Sequence, residues 1–322
     1  MKSESPLDHA RSSLPGLPVS MLRDFTDSLC AVVFPSQCRV CGLELTEASW
    51  TGVCRNCWSS LEPWTGPQCA RCGLPFASNQ GFDADASEPS PGETTILCSA
   101  CRREEYDFDW ARSYGLYRGR LRGAILQLKF HRQERLGHRL GKLLASVWSA
   151  IEAGIQDDQD DPPVVVPVPL HPARQRERGF NQSRLLAQGL VQAMASRGIS
   201  GGCVVRRSQR ALGTWSARLE GRCLERRRST DPQSGLSLSA RQRNVRGAFV
   251  VSSPNRLRGR RVVLVDDVMT TGATASACAA ALKRAGARQV VVLTLARATP
   301  QFPDLFLRQP EQGVDDLGRD SQ

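Results

Sequence analysis

Residues 262–274, Val-Val-Leu-Val-Asp-Asp-Val-Met-Thr-Thr-Gly-Ala-Thr, constrain this chain more than any other stretch. Val262 to Val265 form an apolar run that fits a short buried strand. Asp266 and Asp267 stand at its end. A small, hydroxyl-rich turn follows (Thr270, Thr271, Gly272, Ala273, Thr274) and opens an alanine-rich helix expected from about residue 275 to residue 284. A helix N-terminus offers free backbone N–H groups and the positive end of a dipole, so it receives phosphate. Gly272 lets the backbone come close, and the threonines add hydroxyl donors. Two adjacent carboxylates repel phosphate but accept hydrogen bonds, which suits vicinal hydroxyls. Strand, acid pair and cradle together describe a site for a ribose 5-phosphate. A Walker A loop would need Gly-Lys-Ser/Thr, and a dinucleotide fingerprint three spaced glycines; neither is present here. The bland alternative, a turn with solvated acids, leaves two adjacent acids and three threonines around one glycine without a reason.

The same run resembles, without a gap, the motif by which type I phosphoribosyltransferases bind phosphoribosyl pyrophosphate (PRPP): apolar residues, two acids, two spacers, then Thr-Thr/Ser-Gly-x-Thr.

Eight of the twelve cysteines form four Cys-x-x-Cys pairs: Cys38/Cys41, Cys54/Cys57, Cys69/Cys72 and Cys98/Cys101. Each pair fits a knuckle, and two knuckles close one tetrahedral thiolate site for Zn²⁺. Gly42 and Gly73 directly follow Cys41 and Cys72, where a tight turn aims backbone N–H groups at sulfur. Sequential closure keeps the loops short, so 38/41 is expected to join 54/57, and 69/72 to join 98/101. Both sites would then be closed, which argues for structure and against metal catalysis. Disulfides would need an oxidising compartment, and the N-terminus lacks the layout of an export signal. An iron–sulfur cluster stays open, because four thiolates hold either metal. Trp50, Trp58 and Trp64 could stack on nucleic-acid bases, but small zinc domains usually use tryptophan for packing, which is the expectation for all three. Cys30, Cys203, Cys223 and Cys278 follow no pairing pattern, and His131, His138 and His171 are assigned no chemistry.

The 322 residues allow one large domain and a smaller appendage. No apolar run approaches the ~20 residues of a membrane helix, so no membrane insertion and a cytoplasmic location are expected. The net charge of +11 is concentrated: residues 171–261 hold 20 arginines, no lysine and 4 acids. Such density suits phosphorylated ligands or nucleic acid, and equally a merely solvated basic face.

Along the chain, residues 1–20 read as a flexible lead, 21–34 as a short amphipathic helix and 77–95 as a loose loop. A strand or hairpin is expected over 106–117 and one helix over 121–148, apolar at Leu121, Ile125, Leu128, Leu136, Leu140, Leu143 and Leu144. Residues 156–163 form an acidic linker before a proline-stopped strand at 164–170. A helix ending near Ser196, a strand at 203–206 and a largely irregular arginine-rich stretch at 207–247 follow. A strand at 290–295 completes the pattern, and 299–322 read as a disordered tail. Strands alternating with helices imply an α/β fold, a mostly parallel sheet flanked by helices.

In order, the cysteine pairs, Val-Pro-Val-Pro-Leu at 166–170, Arg-Gly-Phe-Asn-Gln-Ser at 178–183, Gln-x-Gly-Leu from Gln233, Arg-x-x-Asn-Val from Arg241 and the acid–threonine motif resemble the ComF family. This competence protein F, or amidophosphoribosyltransferase-like, group carries an N-terminal double zinc ribbon. The resemblance spans residues 25–298. It implies ribbons over 25–105 and a type I phosphoribosyltransferase-like domain over 106–298. It further implies that PRPP lies on Asp266, Asp267 and the turn Thr270 to Thr274, with pyrophosphate on the loop 170–180 through Arg174, Arg176 and Arg178 and with Mg²⁺ on the pyrophosphate. A hood loop over 233–245, with Gln233, Arg241 and Asn244, would close over the site. Residues 207–228 depart from the family pattern as an insertion, after which Arg228, Thr230 and Gln233 supply the expected Arg-x-Thr-x-x-Gln. No glutaminase segment and no acceptor pocket is recognisable. Two functions stay open: a PRPP-binding protein that assists single-stranded DNA in natural transformation, with DNA-uptake and recombination proteins as partners, or an active phosphoribosyltransferase on an unidentified base or amine.

Overall fold

The computed structural model describes residues 37–45, 49–76, 96–103, 106–130, 133–154, 161–197, 217–228 and 247–299. The expected helix at 21–34, the loop at 77–95, the strand at 203–206, the hood loop with Gln233, Arg241 and Asn244, and both termini lie outside them, as do Thr230, Cys30, Cys203 and His131.

Five strands pair in parallel in the order β1, β7, β6, β2, β3. They are β1 (Trp110–Leu116), β2 (Val164–Pro167), β3 (Arg218–Leu219), β6 (Arg261–Met269) and β7 (Gln289–Arg297). Between β3 and β6 in sequence, β4 (Leu224–Arg226) and β5 (Phe249–Val251) form a separate antiparallel ribbon. Side chains alternate along the central strands and fill two cores. Val262 and Leu264, with Val290 and Val292, enter one core; Val263 and Val265, with Val291 and Leu293, enter the other. Helix α7 (Ala273–Arg284) covers the first face through Cys278, Ala279 and Leu282. Helices α4 (Glu134–Gly154) and α6 (Gln182–Arg197) cover the second through Leu136, Leu140, Leu144, Trp148, Leu186 and Leu190. Sequence and structure therefore agree on a parallel sheet with helices on both faces.

Three expectations change. The single helix at 121–148 is two, α3 (Gly119–Phe130) and α4. Leu128 and Leu136 lie eight residues apart, close to two helical turns, so the apolar phase runs on and hides the break. The stretch 207–247 is not irregular throughout, because residues 218–219 pair with β2 and 224–226 with β5. Buried Glu220 explains part of this: it binds Arg218 at 2.7 Å and Arg256 at 2.8 Å, so charged residues pin β3 to the core. The tryptophans also divide. Trp50 is 75% exposed, which overturns the expectation that it packs.

The two ribbons, with the short helices α1 (Arg55–Ser59) and α2 (Ser99–Arg102), wrap the free edge of β1. Trp64 N–H donates to the Tyr114 carbonyl at 2.7 Å, and Ala111 N–H to the Arg71 carbonyl at 2.8 Å. The Tyr114 hydroxyl donates to the Leu61 carbonyl at 2.6 Å. An edge paired in this way cannot recruit a foreign strand. Cys38 and Cys57 join one core, and Cys69, Cys72, Cys98 and Cys101 the other.

Helices α4 and α6 cross at glycines. A Cβ on Gly189 would overlap the His138 carbonyl, and one on Gly141 the Leu186 backbone. Backbone cannot move aside as a flexible side chain does. Gly189→Ala should therefore cost about 1–3 kcal/mol, read as a lower midpoint in urea unfolding; an unchanged midpoint would contradict this crossing.

Candidate functional site

A cavity of about 330 Å³ opens beyond the C-terminal ends of the strands. Its wall combines Val168 to Leu170 after β2, Asp266 to Met269 at the end of β6, Thr294 and Ala298 from β7 and its end, and Tyr117 just after β1. Open parallel sheets bind ligands at such carboxyl ends, because the strand ends and helix N-termini converge there.

Of the residues expected from sequence, Asp266, Asp267, Thr270, Gly272, Ala273, Thr274, Arg174 and Arg178 all line this cavity. Thr271 is not in its wall. The Thr271 carbonyl accepts from the Tyr106 hydroxyl at 2.8 Å. Arg176 is exposed and also outside the wall. The segment expected as a loop at 170–180 is instead largely helix α5 (Pro172–Arg178). Pro172 starts it, His171 caps it by accepting from the Ala173 N–H at 3.3 Å, and Gly179 ends it at φ +78°. Arg174 and Arg178 are four apart and share a face, while Arg176 points elsewhere.

Gly272 caps α7 at φ +82°, a conformation costly for any other residue. A Cβ there would lie 2.7 Å from Met269 Cε and 3.0 Å from the Tyr106 ring. Tyr106 stacks on Phe108 with centroids 4.8 Å apart. Ser276 of α7 donates to Asp107 Oδ2 at 2.7 Å and accepts from the Asp107 N–H at 3.0 Å. The segment leaving the second ribbon thus holds the turn from behind.

Asp266 Oδ1 accepts from Ser183 Oγ at 2.8 Å and from the Asp267 N–H at 2.9 Å. Asp267 is buried and ion-paired with Lys129 Nζ at 3.2 Å. Burial, then the Asp267 carboxylate, push the Asp266 carboxyl up to about 7. Arg226 also lines the cavity. Burial, then the nearby Arg174 guanidinium, lower its pKa. Four cations therefore face two acids: Lys129, Arg174, Arg178 and Arg226. Gln182 is buried in the same wall, and its Oε1 accepts no hydrogen bond among the described residues.

Sequence reading missed Lys129, Ser183, Gln182 and Arg226 as members of this site. Lys129 comes from a helix more than a hundred residues upstream, and Arg226 sits in an arginine-rich stretch where charge alone singles out nothing. Its placement also removes Arg226 from the solvated arginine face.

The cysteines close in sequence order. Cys38, Cys41, Cys54 and Cys57 form one tetrad, and Cys69, Cys72, Cys98 and Cys101 a second, with the ligand atoms of each within 4.8 Å of one another. Sulfur–sulfur separations of 3.8 Å (Cys38 to Cys57), 3.7 Å (Cys41 to Cys54) and 3.6 Å (Cys72 to Cys98) rule out disulfides between these pairs. They match the ~3.8 Å edge of a tetrahedron with ~2.3 Å metal–sulfur bonds. Cys54 N–H points at Cys38 Sγ (3.3 Å) and Cys98 N–H at Cys69 Sγ (3.4 Å), as thiolate knuckles require. The donor set fits two structural Zn²⁺ ions. Among the described residues no helix is long and apolar enough to cross a membrane.

Residues 29–102 match the family of the double zinc ribbon domain, and residues 216–304 that of the phosphoribosyl transferase domain. DNA utilization protein YhgH of Salmonella typhimurium is 31% identical over 265 residues, covering 82% of this chain and 97% of that protein. The chain belongs to the ComF family. Competence protein F of Haemophilus influenzae is 28% identical over 77% of this chain and 91% of its own length. Competence protein ComFC of Bacillus subtilis is 27% identical over 76% and 84%.

Two outcomes test this geometry. Between about pH 4 and 7 the folded chain keeps a proton on Asp266 that the unfolded chain has released, so this group's contribution to stability falls as pH rises through that window. Asp266→Asn keeps the Oδ1 acceptor and removes the charge. It should raise stability at pH 8 by about 1–2 kcal/mol, the partly exposed position being screened, and change little at pH 4; thermal melts at both pH values decide. Elemental analysis should give close to two zinc ions per chain. Their removal by a chelator should lower the melting temperature of the whole chain, because both tetrads belong to the sheet's cores.

Proposed function

We propose that the cavity binds PRPP or a related ribose 5-phosphate, and that the protein assists the handling of single-stranded DNA in natural transformation. The observation that carries the ligand is the meeting of the acid pair, the α7 N-terminus and three arginines in one cavity. In this reading the 5-phosphate sits on the N–H groups of the Thr270–Thr274 turn, and Asp266 and Asp267 take the ribose hydroxyls. Arg174, Arg178 and Arg226 take the pyrophosphate by charge-assisted hydrogen bonds. Mg²⁺ bound to the pyrophosphate would supply further neutralisation of its charge beside these arginines. Lys129, Arg174, Arg178 and Arg226 outnumber Asp266 and Asp267 in the wall, so the site carries a net positive balance suited to a ligand with several phosphates. The names of the relatives, DNA utilization protein and competence protein, support the DNA part of the reading. Uptake and recombination proteins are then its partners, and the compartment is the cytoplasm.

A second reading, transfer of the phosphoribosyl group to a base or amine, is favoured by one observation. Asp266 lines the cavity with its Oδ1 held by Ser183 and the Asp267 N–H, and burial raises this carboxyl toward neutral pH, where it can accept the acceptor's proton. The ribose C1–oxygen bond would break to release pyrophosphate as a C1–nitrogen bond forms, and residues 233–245 would be the hood.

Calorimetry with PRPP and Mg²⁺ tests the first reading. Asp266→Asn should weaken binding at least a hundredfold while the protein stays folded. Arg174→Ala and Arg178→Ala should each cost about ten- to a hundredfold, in line with ~1.5–3 kcal/mol for a hydrogen bond to a charged group. Arg176→Ala should change little. Equal affinity in wild type and Asp266→Asn would reject the assignment. Pyrophosphate release across bases and amines separates the second reading from the first.

A further inference from the structure

The basic and aromatic side chains that face outward are not scattered. On the first ribbon, Trp50 is 75% exposed, with the Arg135 guanidinium 4.9 Å from its ring centroid. Trp58 lies beside it, its indole N–H donating to Thr51 Oγ1 at 3.3 Å, with the Arg139 guanidinium 4.0 Å from its ring. Arg135, Arg139 and Lys142 fall at helical spacing on one exposed stripe of α4. Five residues before Arg135, Phe130 is 67% exposed, with the Arg178 guanidinium 5.7 Å from its ring. Arg178 and Lys129, the neighbour of Phe130, line the cavity. Aromatic rings and cations therefore alternate along a strip that starts at the cavity wall, passes over the first turns of α4 and ends on the first ribbon.

We propose that this strip is a stacking platform for single-stranded DNA, with bases on Trp50 and Phe130 and phosphates on Arg135, Arg139 and Lys142. The inference rests on the DNA reading above and gives it a surface. Trp58 packs against a core, but packing does not account for Trp50 and Phe130, since a ring that serves a core is covered, as Trp148 is at 2% exposure. Neither does solvation, since three separate rings each hold an arginine against them. Among the described residues no carboxylate pairs with Arg135, Arg139 or Lys142, which leaves their charge for an anion. Exposed rings interleaved with cations bind single strands with little sequence preference, because every base has a stacking face, whereas paired bases in a duplex do not offer theirs.

Anisotropy titrations of the full chain with a labelled oligothymidylate, against a duplex of the same length, test the proposal. Wild type should prefer the single strand. Trp50→Ala should weaken that binding about tenfold, and Trp50→Phe should restore most of it. Arg135→Ala with Arg139→Ala should flatten the log–log salt dependence by about 1.4, or ~0.7 per phosphate lost. None of these changes should alter PRPP binding, which reports an intact fold. If wild type binds the oligonucleotide and the variants bind equally well, the strip is refuted while the DNA reading stands. If wild type binds no single strand, both fall. Equal affinity for duplex with no effect of Trp50→Ala means plain charge attraction and also overturns the platform.

Discussion

A parallel sheet whose central strands are apolar on both sides cannot leave either face, or its outer edge, to water. Val262 to Val265 and Val290 to Leu293 send alternate side chains into two cores, and every other element serves to cover them. α4 and α6 cover one face and α7 the other. The β1 edge needs a separate cover, and the cysteine ribbons supply it through backbone pairing with Ala111 and Tyr114. Each tetrad enters a different core, so the ribbons straddle the sheet. A ribbon of this size buries too little apolar surface to fold alone, and four thiolates on a metal offset that deficit.

This arrangement also shapes the cavity. The parallel strands place their carboxyl ends together, so Asp266, Asp267 and the Gly272 turn open into one space with Tyr117 and Val168. Two carboxylates side by side are electrostatically strained, which is why burial and Asp267 raise the Asp266 carboxyl while Lys129 steadies Asp267. A ligand bearing hydroxyls for the acids and phosphates for Arg174, Arg178 and Arg226 would relieve both excesses of charge. The segment after the second ribbon meets the same turn, through Tyr106 on the Thr271 carbonyl and Asp107 on Ser276. The second ribbon and the cavity are therefore mechanically continuous, although neither tetrad lines the cavity.

The two tryptophan environments show how the same residue type is divided by packing. Trp148 fills a core beneath α4, while Trp50 stands out from the first ribbon against Arg135. Composition cannot distinguish them. The distinction follows from where the ribbon docks, because the helix stripe that carries Arg135 and Arg139 lies alongside it.

The sequence by itself determined the parallel α/β fold, the acid–threonine turn and the four Cys-x-x-Cys pairs, whereas the structure decided how the pairs join into two tetrads. These are local patterns whose physical meaning lies within a dozen or so residues: alternation, helix-start chemistry and Cys-x-x-Cys spacing. Even there, the helix at 121–148 was read as one, because the apolar phase at Leu128 and Leu136 runs through the break. Only the tertiary structure decided that Lys129, Gln182, Ser183 and Arg226 share the cavity with Asp266, that Arg176 does not, and that residues 218–219 and 224–226 are strands. Those facts depend on contacts between segments far apart in the chain. A lysine on a helix or an arginine among twenty carries no local mark of its partner, so its role is set only when the sheet brings the segments together.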